Sequence, residues 1–228
     1  MKDYCLSQDL GRLGDYHAQC LTKLSTEERS RTLYSRQFQA RARVDMIYPK
    51  ITVVWLGRSQ VPYPDLGDET ILRLQDPKIV GNCYHVLDAT GVGMPVIEYM
   101  WKNKLRPVGI WLHGGDRTNV QDYGKSVPKK DVVEALNFCL NARLLTFARG
   151  LDPKIVEVLK HEFQNFKEKV RKTGTSSFEA WREKDHDDLV LAVGINCWYV
   201  LREVRGIHEF RRSDARKETD YNPLRDGL

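Results

Sequence analysis

Asp9, Asp88, Asp187 and Asp188 stand where a carboxylate can do chemistry. Asp9 closes the half-apolar run YCLSQD, Asp88 closes the strand-like CYHVLD, and Asp187 with Asp188 opens the long apolar run LVLAVGINCWYVL. A carboxylate at a strand end is held at the rim of a sheet, and one at a helix N-terminus is favoured by the partial positive charge there. Groups of this kind can meet only if a cation joins them, because two unit charges about 4 Å apart repel by about 4 kcal/mol at an effective dielectric of 20. All-oxygen ligation with open positions suits Mg²⁺ or Mn²⁺, and a pair of ions about 3.5–4 Å apart is the usual device for hydrolysing phosphodiesters. Each aspartate also has a structural reading: Asp9 in a turn, Asp88 accepting N–H groups of the Gly91 loop, and Asp187 or Asp188 capping a helix. Spacing alone leaves both readings open.

The glycines beside Asp88 offer a competing chemistry. A dinucleotide cradle needs GxGxxG between strand and helix, with an acidic residue about twenty positions on. Gly91 and Gly93 are present, but Val96 stands at the third position, and the next strand, PVGIWLH, ends in His113 and Gly114. Gly124, Lys125 and Ser126 match the end of a P-loop, yet residue 119 is Asn rather than Gly, and Val127 and Pro128 follow where a helix should begin at once. A nucleotide-binding α/β protein using the Gly91/Gly93 loop is therefore the alternative, not the first reading. The glycines then serve to turn the chain off the strand.

The elements that must position these residues change in character along the chain. Residues 4 to 24 predict a β-hairpin, residues 25 to 42 a polar, Arg-rich excursion over the surface, and RVDMIYPKITVVWLGRS one or two strands. YPDLGDETILRLQDP has early acidic residues and a proline stop, which is a helix signal. From Cys83 the chain alternates strand and helix: CYHVLD, MPVIEYMWKNK, PVGIWLH, a loop, VPKKDVVEALNFCLNAR, LLTFA, and a helix from LDPKIVEVLKHEFQ. A second β-hairpin is expected near residues 165–182, where Gly174 divides two alternating segments. HDDLVLAVGINCWYVLREV is apolar nearly all round and should be a buried helix. A strand set followed by βαβ units makes a mixed sheet covered by helices, so the fold class is α/β, with one domain over residues 1–205 and a polar tail over 206–228.

Composition fits this reading. The chain has 228 residues, 41% of them hydrophobic, enough for one substantial core. No run of 18 apolar residues is present, so no membrane span is expected. Five cysteines are scattered singly, without metal-binding spacing, and read as small buried residues in a reducing cytoplasm. A formal charge of +5 permits a polyanionic partner without requiring one. The basic residues gather in KNKLRP, VPKKD and NFKEKVRKTG.

Four stretches, in order, carry a resemblance: YCLSQDLGRLGDYHA, HVLDATGVGMPVIEYM, YGKSVPKKDVVEAL and WREKDHDDLVLAVGINCW. Together they resemble the nuclease domain of the large terminase subunit of tailed bacteriophages, over roughly residues 4 to 203. The resemblance implies an RNase H-like fold and a metal-dependent endonuclease that cuts concatemeric viral DNA during packaging, using two Mg²⁺ or Mn²⁺ ions. The family's acidic positions match Asp9, Asp88 and the Asp187–Asp188 pair. Neighbouring helix residues point about 100° apart, so the last two should not reach one ion equally. Asp188 is the expected direct ligand, and Asp187 either supports it or holds the second ion; Asp15, also in the first stretch, suits a turn at least as well as the site. Lys129, Lys130, Lys167, Lys169, Arg171 and Lys172 would contact phosphates without reading sequence. The implied partners are double-stranded DNA, the terminase ATPase and small subunit, and the portal, in the cytoplasm of a bacterial host. Full-length large subunits carry an ATPase motor before the nuclease; this chain begins almost at the first strand, so no motor activity is expected of it. A further alternative is an RNase H-like module that binds DNA without cutting it.

Overall fold

The first strand, β1 (Tyr4–Asp9), sets the plan, because its side chains alternate between two cores. Cys5 joins the larger apolar cluster on one face, and Leu6 joins a smaller one on the other. The computed structural model describes residues 1–11, 14–35, 40–91, 93–172 and 187–204. Around β1 it builds an eight-stranded sheet of order β6-β7-β5-β4-β1-β2-β3-β8. Here β2 is His17–Ser35, β3 Ala40–Ser59, β4 Cys83–Asp88, β5 Val108–His113, β6 Asn119–Gln121, β7 Gly124–Pro128 and β8 Leu145–Phe147.

β1, β2 and β3 run antiparallel in sequence, while β4 lies parallel to β1, β5 to β4 and β7 to β5. Helices cover both faces. α3 (Lys129–Asn141), α4 (Pro153–Lys172) and α5 (Asp188–Glu203) share the larger cluster, with Leu136, Leu159 and Ile195 among its members. α1 (Tyr63–Leu74) and α2 (Gly93–Lys102) pack on the other face through Leu66, Val96, Ile97 and Met100. The mixed α/β sheet flanked by helices that the sequence predicts is present, consistent with the expected fold class. No helix among the described residues is long and apolar enough to cross a membrane.

α5 lies against β1 with a polar seam inside an otherwise apolar contact. Asn196 Nδ2 donates to Cys5 O and to Ser7 Oγ, each at 3.1 Å, and Thr22 Oγ1 donates to Asn196 Oδ1 at 2.9 Å. One turn towards the helix N-terminus, Ser7 Oγ donates to Ala192 O at 2.8 Å. Helix and strand are therefore antiparallel, since Cys5 faces Asn196 and Ser7 faces Ala192.

Three local expectations are corrected. Residues 25–35 are not a surface excursion but the continuation of β2, paired with β3 as far as Ser35 against Ala40. Their polarity misled because a two-stranded ribbon satisfies its backbone by mutual pairing and can leave side chains such as Ser25 and Glu28 exposed. The β-hairpin expected near residues 165–182 is contradicted over 165–172, which belong to α4; Leu159, Glu162 and Phe166 are buried at helical spacing. Residues 173–182 lie outside the described residues, as does the tail 206–228. The stretch expected as a loop after His113 contains the antiparallel pair β6–β7. Of the five cysteines, Cys5, Cys20, Cys139 and Cys197 are buried, Cys83 is half-buried, and all are free.

Candidate active site

Asp9 and Asp88 are direct partners in the parallel β1–β4 pair. Both are buried, at 8% and 1% exposure, although each ends its strand. Their row continues across the sheet: Ala18 pairs with Asp9, Arg58 pairs with Ala18, and Ile110 pairs with Asp88. In-register partners point to the same side of a sheet. The side is set by Ala18 and Ile110, which belong to the larger apolar cluster under α5. Asp9, Asp88 and Arg58 thus share the face that α5 covers.

The seam fixes where α5 brings its own carboxylates. From Ser7 to Asp9 is two strand residues, about 6.6 Å; from Ala192 to Asp188 is four helix residues, about 6 Å. Since Ser7 meets Ala192 and the elements run antiparallel, Asp188 comes to the same end of the sheet as Asp9. Its carboxylate forms an ion pair with Arg58, Nη2 to Oδ2 at 3.2 Å. Asp187 precedes the helix at the N-cap position, but its side chain makes no capping hydrogen bond.

Glu162 caps the helix instead. Reaching across from α4, its Oε2 accepts the N–H groups of Leu189 at 2.9 Å and Val190 at 3.1 Å. The residue is only 2% exposed, and its Oε1 is buried with no hydrogen-bond partner among the described residues. Burial raises its pKa to about 7; the Val190 N–H and Arg58 oppose that shift, and the Asp188 charge reinforces it.

On the β4 side, Asp88 Oδ1 accepts the Thr90 N–H at 2.7 Å, and Thr90 Oγ1 accepts the Leu112 N–H at 2.6 Å. Gly91 follows with φ of 90°, the left-handed conformation that glycine adopts without strain, and α2 begins at Gly93. The expected turn off the strand is there for Gly91. The P-loop decoy resolves differently: Gly124, Lys125 and Ser126 lie in β7, and Lys125 Nζ bonds Glu203 Oε2 at 2.6 Å at the far end of α5.

Lys129 and Lys130 are the first residues of α3, directly after β7. Because β1, β4, β5 and β7 are parallel, these lysines lie along the same strand-end edge as Asp9 and Asp88. Lys130 is ion-paired with Asp116. The backbones of Lys167, Lys169, Arg171 and Lys172 fall in the last turns of α4.

The donor set suits a hard divalent cation, with carboxylates at directly paired positions and a further buried carboxylate oxygen on Glu162. The assembly is not that of a closed site: no group of three or more His, Cys, Asp or Glu among the described residues is gathered to hold an ion. Two members of this corner, Arg58 and Glu162, went unread in the sequence. Glu162 had a signal, a carboxylate in the apolar stripe between Leu159 and Phe166.

No protein-family model matches the chain, and no curated protein matches it. Among solved structures it is similar to the large terminase nuclease from thermophilic phage G20c, at 14% identity, with 85% of this chain and 80% of that chain covered and a TM-score of 0.46.

Proposed function

We propose that this chain is a metal-dependent DNA endonuclease of phage-terminase type that hydrolyses phosphodiesters in concatemeric viral DNA. The observation that carries this reading is the direct pairing of buried Asp9 with buried Asp88 beneath the acidic N-terminus of α5. Two carboxylates buried side by side are unfavourable without a cation to join them. The carboxyl ends of parallel strands are also where open α/β sheets bind ligands.

Asp9, Asp88 and Asp188 would hold two Mg²⁺ or Mn²⁺ ions, with Asp187 supporting the second. Held there, such ions would supply activation of a water and stabilisation of the leaving oxygen. The protein supplies position: β1 and β4 fix two carboxylates by their register, and Glu162 anchors the first turn of α5 that bears the third. Lys129 and Lys130, with Lys167, Lys169, Arg171 and Lys172, would bind phosphates of double-stranded DNA and leave its sequence unread. The terminase ATPase, small subunit and portal are the partners that go with this function, in the cytoplasm of a phage host.

Plasmid nicking by the purified protein tests the proposal. Mn²⁺ or Mg²⁺ should support nicking, and Asp88→Ala should abolish it. Cleavage that persists in excess EDTA, or in Asp88→Ala, overturns the reading. A non-cleaving RNase H-like module that binds DNA is the second reading, favoured by the absence of a gathered metal group among the described residues. Calorimetry with Mn²⁺ separates the two, since that module would take up no ion.

A further inference from the structure

Arg58 stands out in the acidic corner because its positive charge meets the Asp188 carboxylate directly. Its guanidinium lies over the Tyr16 ring, 3.8 Å from the centroid, and Nη2 reaches Asp188 Oδ2 at 3.2 Å. Both side chains are mostly buried, at 13% and 17% exposure. Nε is buried with no hydrogen-bond partner among the described residues, so the contact is not the two-pronged grip that arginine gives a carboxylate when its donors are fully used. A guanidinium does not lose its proton inside a protein. Arg58 therefore remains a fixed positive charge one strand beyond the neighbour of Asp9, in the same row and on the same face.

A divalent ion shared by Asp9, Asp88 and Asp188 cannot be added to this arrangement without cost. Asp188 would have to give up its Arg58 contact, and an unmoved guanidinium would repel the incoming charge at short range. The ring of Tyr16 gives the guanidinium a surface to stay on once Asp188 is withdrawn.

We propose that Arg58 is the built-in counter-ion of this edge: it holds Asp188 while no divalent ion is bound and competes with the ion for that carboxylate. The proposal rests on the nuclease reading above, and it accounts for why three carboxylates at one end of the sheet are not gathered into a group. Arginine at this position sets the metal concentration at which the site fills.

Calorimetric titration of Mn²⁺ into the full chain tests this, comparing wild type with Arg58→Gln, Arg58→Met and Asp88→Asn. Arg58→Gln and Arg58→Met should each bind Mn²⁺ about tenfold more tightly than wild type, and in EDTA each should melt at a lower temperature because the Arg58–Asp188 ion pair is lost. Unchanged or weaker affinity in a folded Arg58 variant overturns the proposal while leaving the nuclease reading intact, provided wild type binds Mn²⁺ and Asp88→Asn does not. If wild type and Arg58 variants all bind no Mn²⁺, both ideas fall together. Should neither Arg58 variant fold, the Nε–H resonance of Arg58 in wild type decides. It should shift as Mg²⁺ saturates the protein, and a resonance that stays in place overturns the competition.

Discussion

Asp9 and Asp88 are opposite one another in the parallel β1–β4 pair, both buried and both on the face that α5 covers. Neighbouring strands lie about 4.8 Å apart. Two ionised groups at that spacing repel by about 1–3 kcal/mol at effective dielectrics of 20 or more. In EDTA, Asp88→Asn should therefore keep the fold and melt higher than wild type, by about 2–4 °C for each kcal/mol relieved. An asparagine Oδ1 can still accept the Thr90 N–H that Asp88 Oδ1 accepts. In saturating Mn²⁺ the order should invert, because only wild type gains the ion. Differential scanning calorimetry in the two buffers checks both halves, and a lower melting temperature for Asp88→Asn in EDTA contradicts the first.

Glu162 predicts a pH dependence of opposite sign to the usual carboxylate. Its folded pKa is raised from 4.5 to about 7, so between those values the folded protein binds more protons than the unfolded chain. Stability from this group is full below pH 4.5 and falls as pH rises through about 7. The expected loss is of order 3 kcal/mol. Urea unfolding from pH 4.5 to 8 should show wild type losing ground to Glu162→Gln across that window; parallel curves would refute it.

His85 works in the other direction. Its Nε2–H donates to Gln8 Oε1 at 2.6 Å, and Gln8 passes the chain on by donating to Thr70 Oγ1 at 2.9 Å. Burial lowers the His85 pKa from 6.5 to about 3, so the unfolded chain binds the proton first on acidification. Stability from the neutral ring is present above pH 6.5 and drains away below it. The slope is about 1.4 kcal/mol per pH unit. His85→Gln should flatten acid denaturation between pH 6 and 4, measured by circular dichroism.

Lys129 and Lys130 stand at the same edge as the aspartates, and DNA affinity should report their charge without regard to sequence. Removing one lysine–phosphate interaction lowers the slope of log K against log salt by about 0.9. The Lys129→Ala/Lys130→Ala double variant should thus weaken duplexes of unrelated sequence alike and reduce the slope by about 1–2, read by fluorescence anisotropy. A weakening confined to one sequence would show that these lysines read bases.

The sheet was legible in the sequence because strands and helices from Cys83 onward alternate in hydrophobic period, and the ends of β1 and β4 named Asp9 and Asp88. The Arg58 contact was not. From Ile51 and Val53, strict alternation puts Trp55 and Gly57 on the core face and Arg58 on the other. The β2–β3 register shifts between Leu21 and Thr22, which face Trp55 and Val53, so Val54 is the extra residue and Leu56 and Arg58 turn inward. A bulge is a pairing property of two strands and leaves no mark in the alternation of one. Glu162 was hidden differently, since its N–H partners lie on another helix and only folding brings them together.

The Asn196 seam has a further consequence. Apolar packing interlocks a buried helix with its neighbours but does not by itself distinguish closely related settings as sharply as directional hydrogen bonds do. Asn196 acts on α5 as a key acts on a shaft: its three hydrogen bonds to Cys5, Ser7 and Thr22 admit one angular setting. Eight residues away, about 12 Å along the axis, that setting carries through to Asp188, the first residue of the helix. Asn196→Leu should leave α5 buried but loosen its setting on β1, so Mn²⁺ affinity measured by calorimetry should fall although neither aspartate is changed.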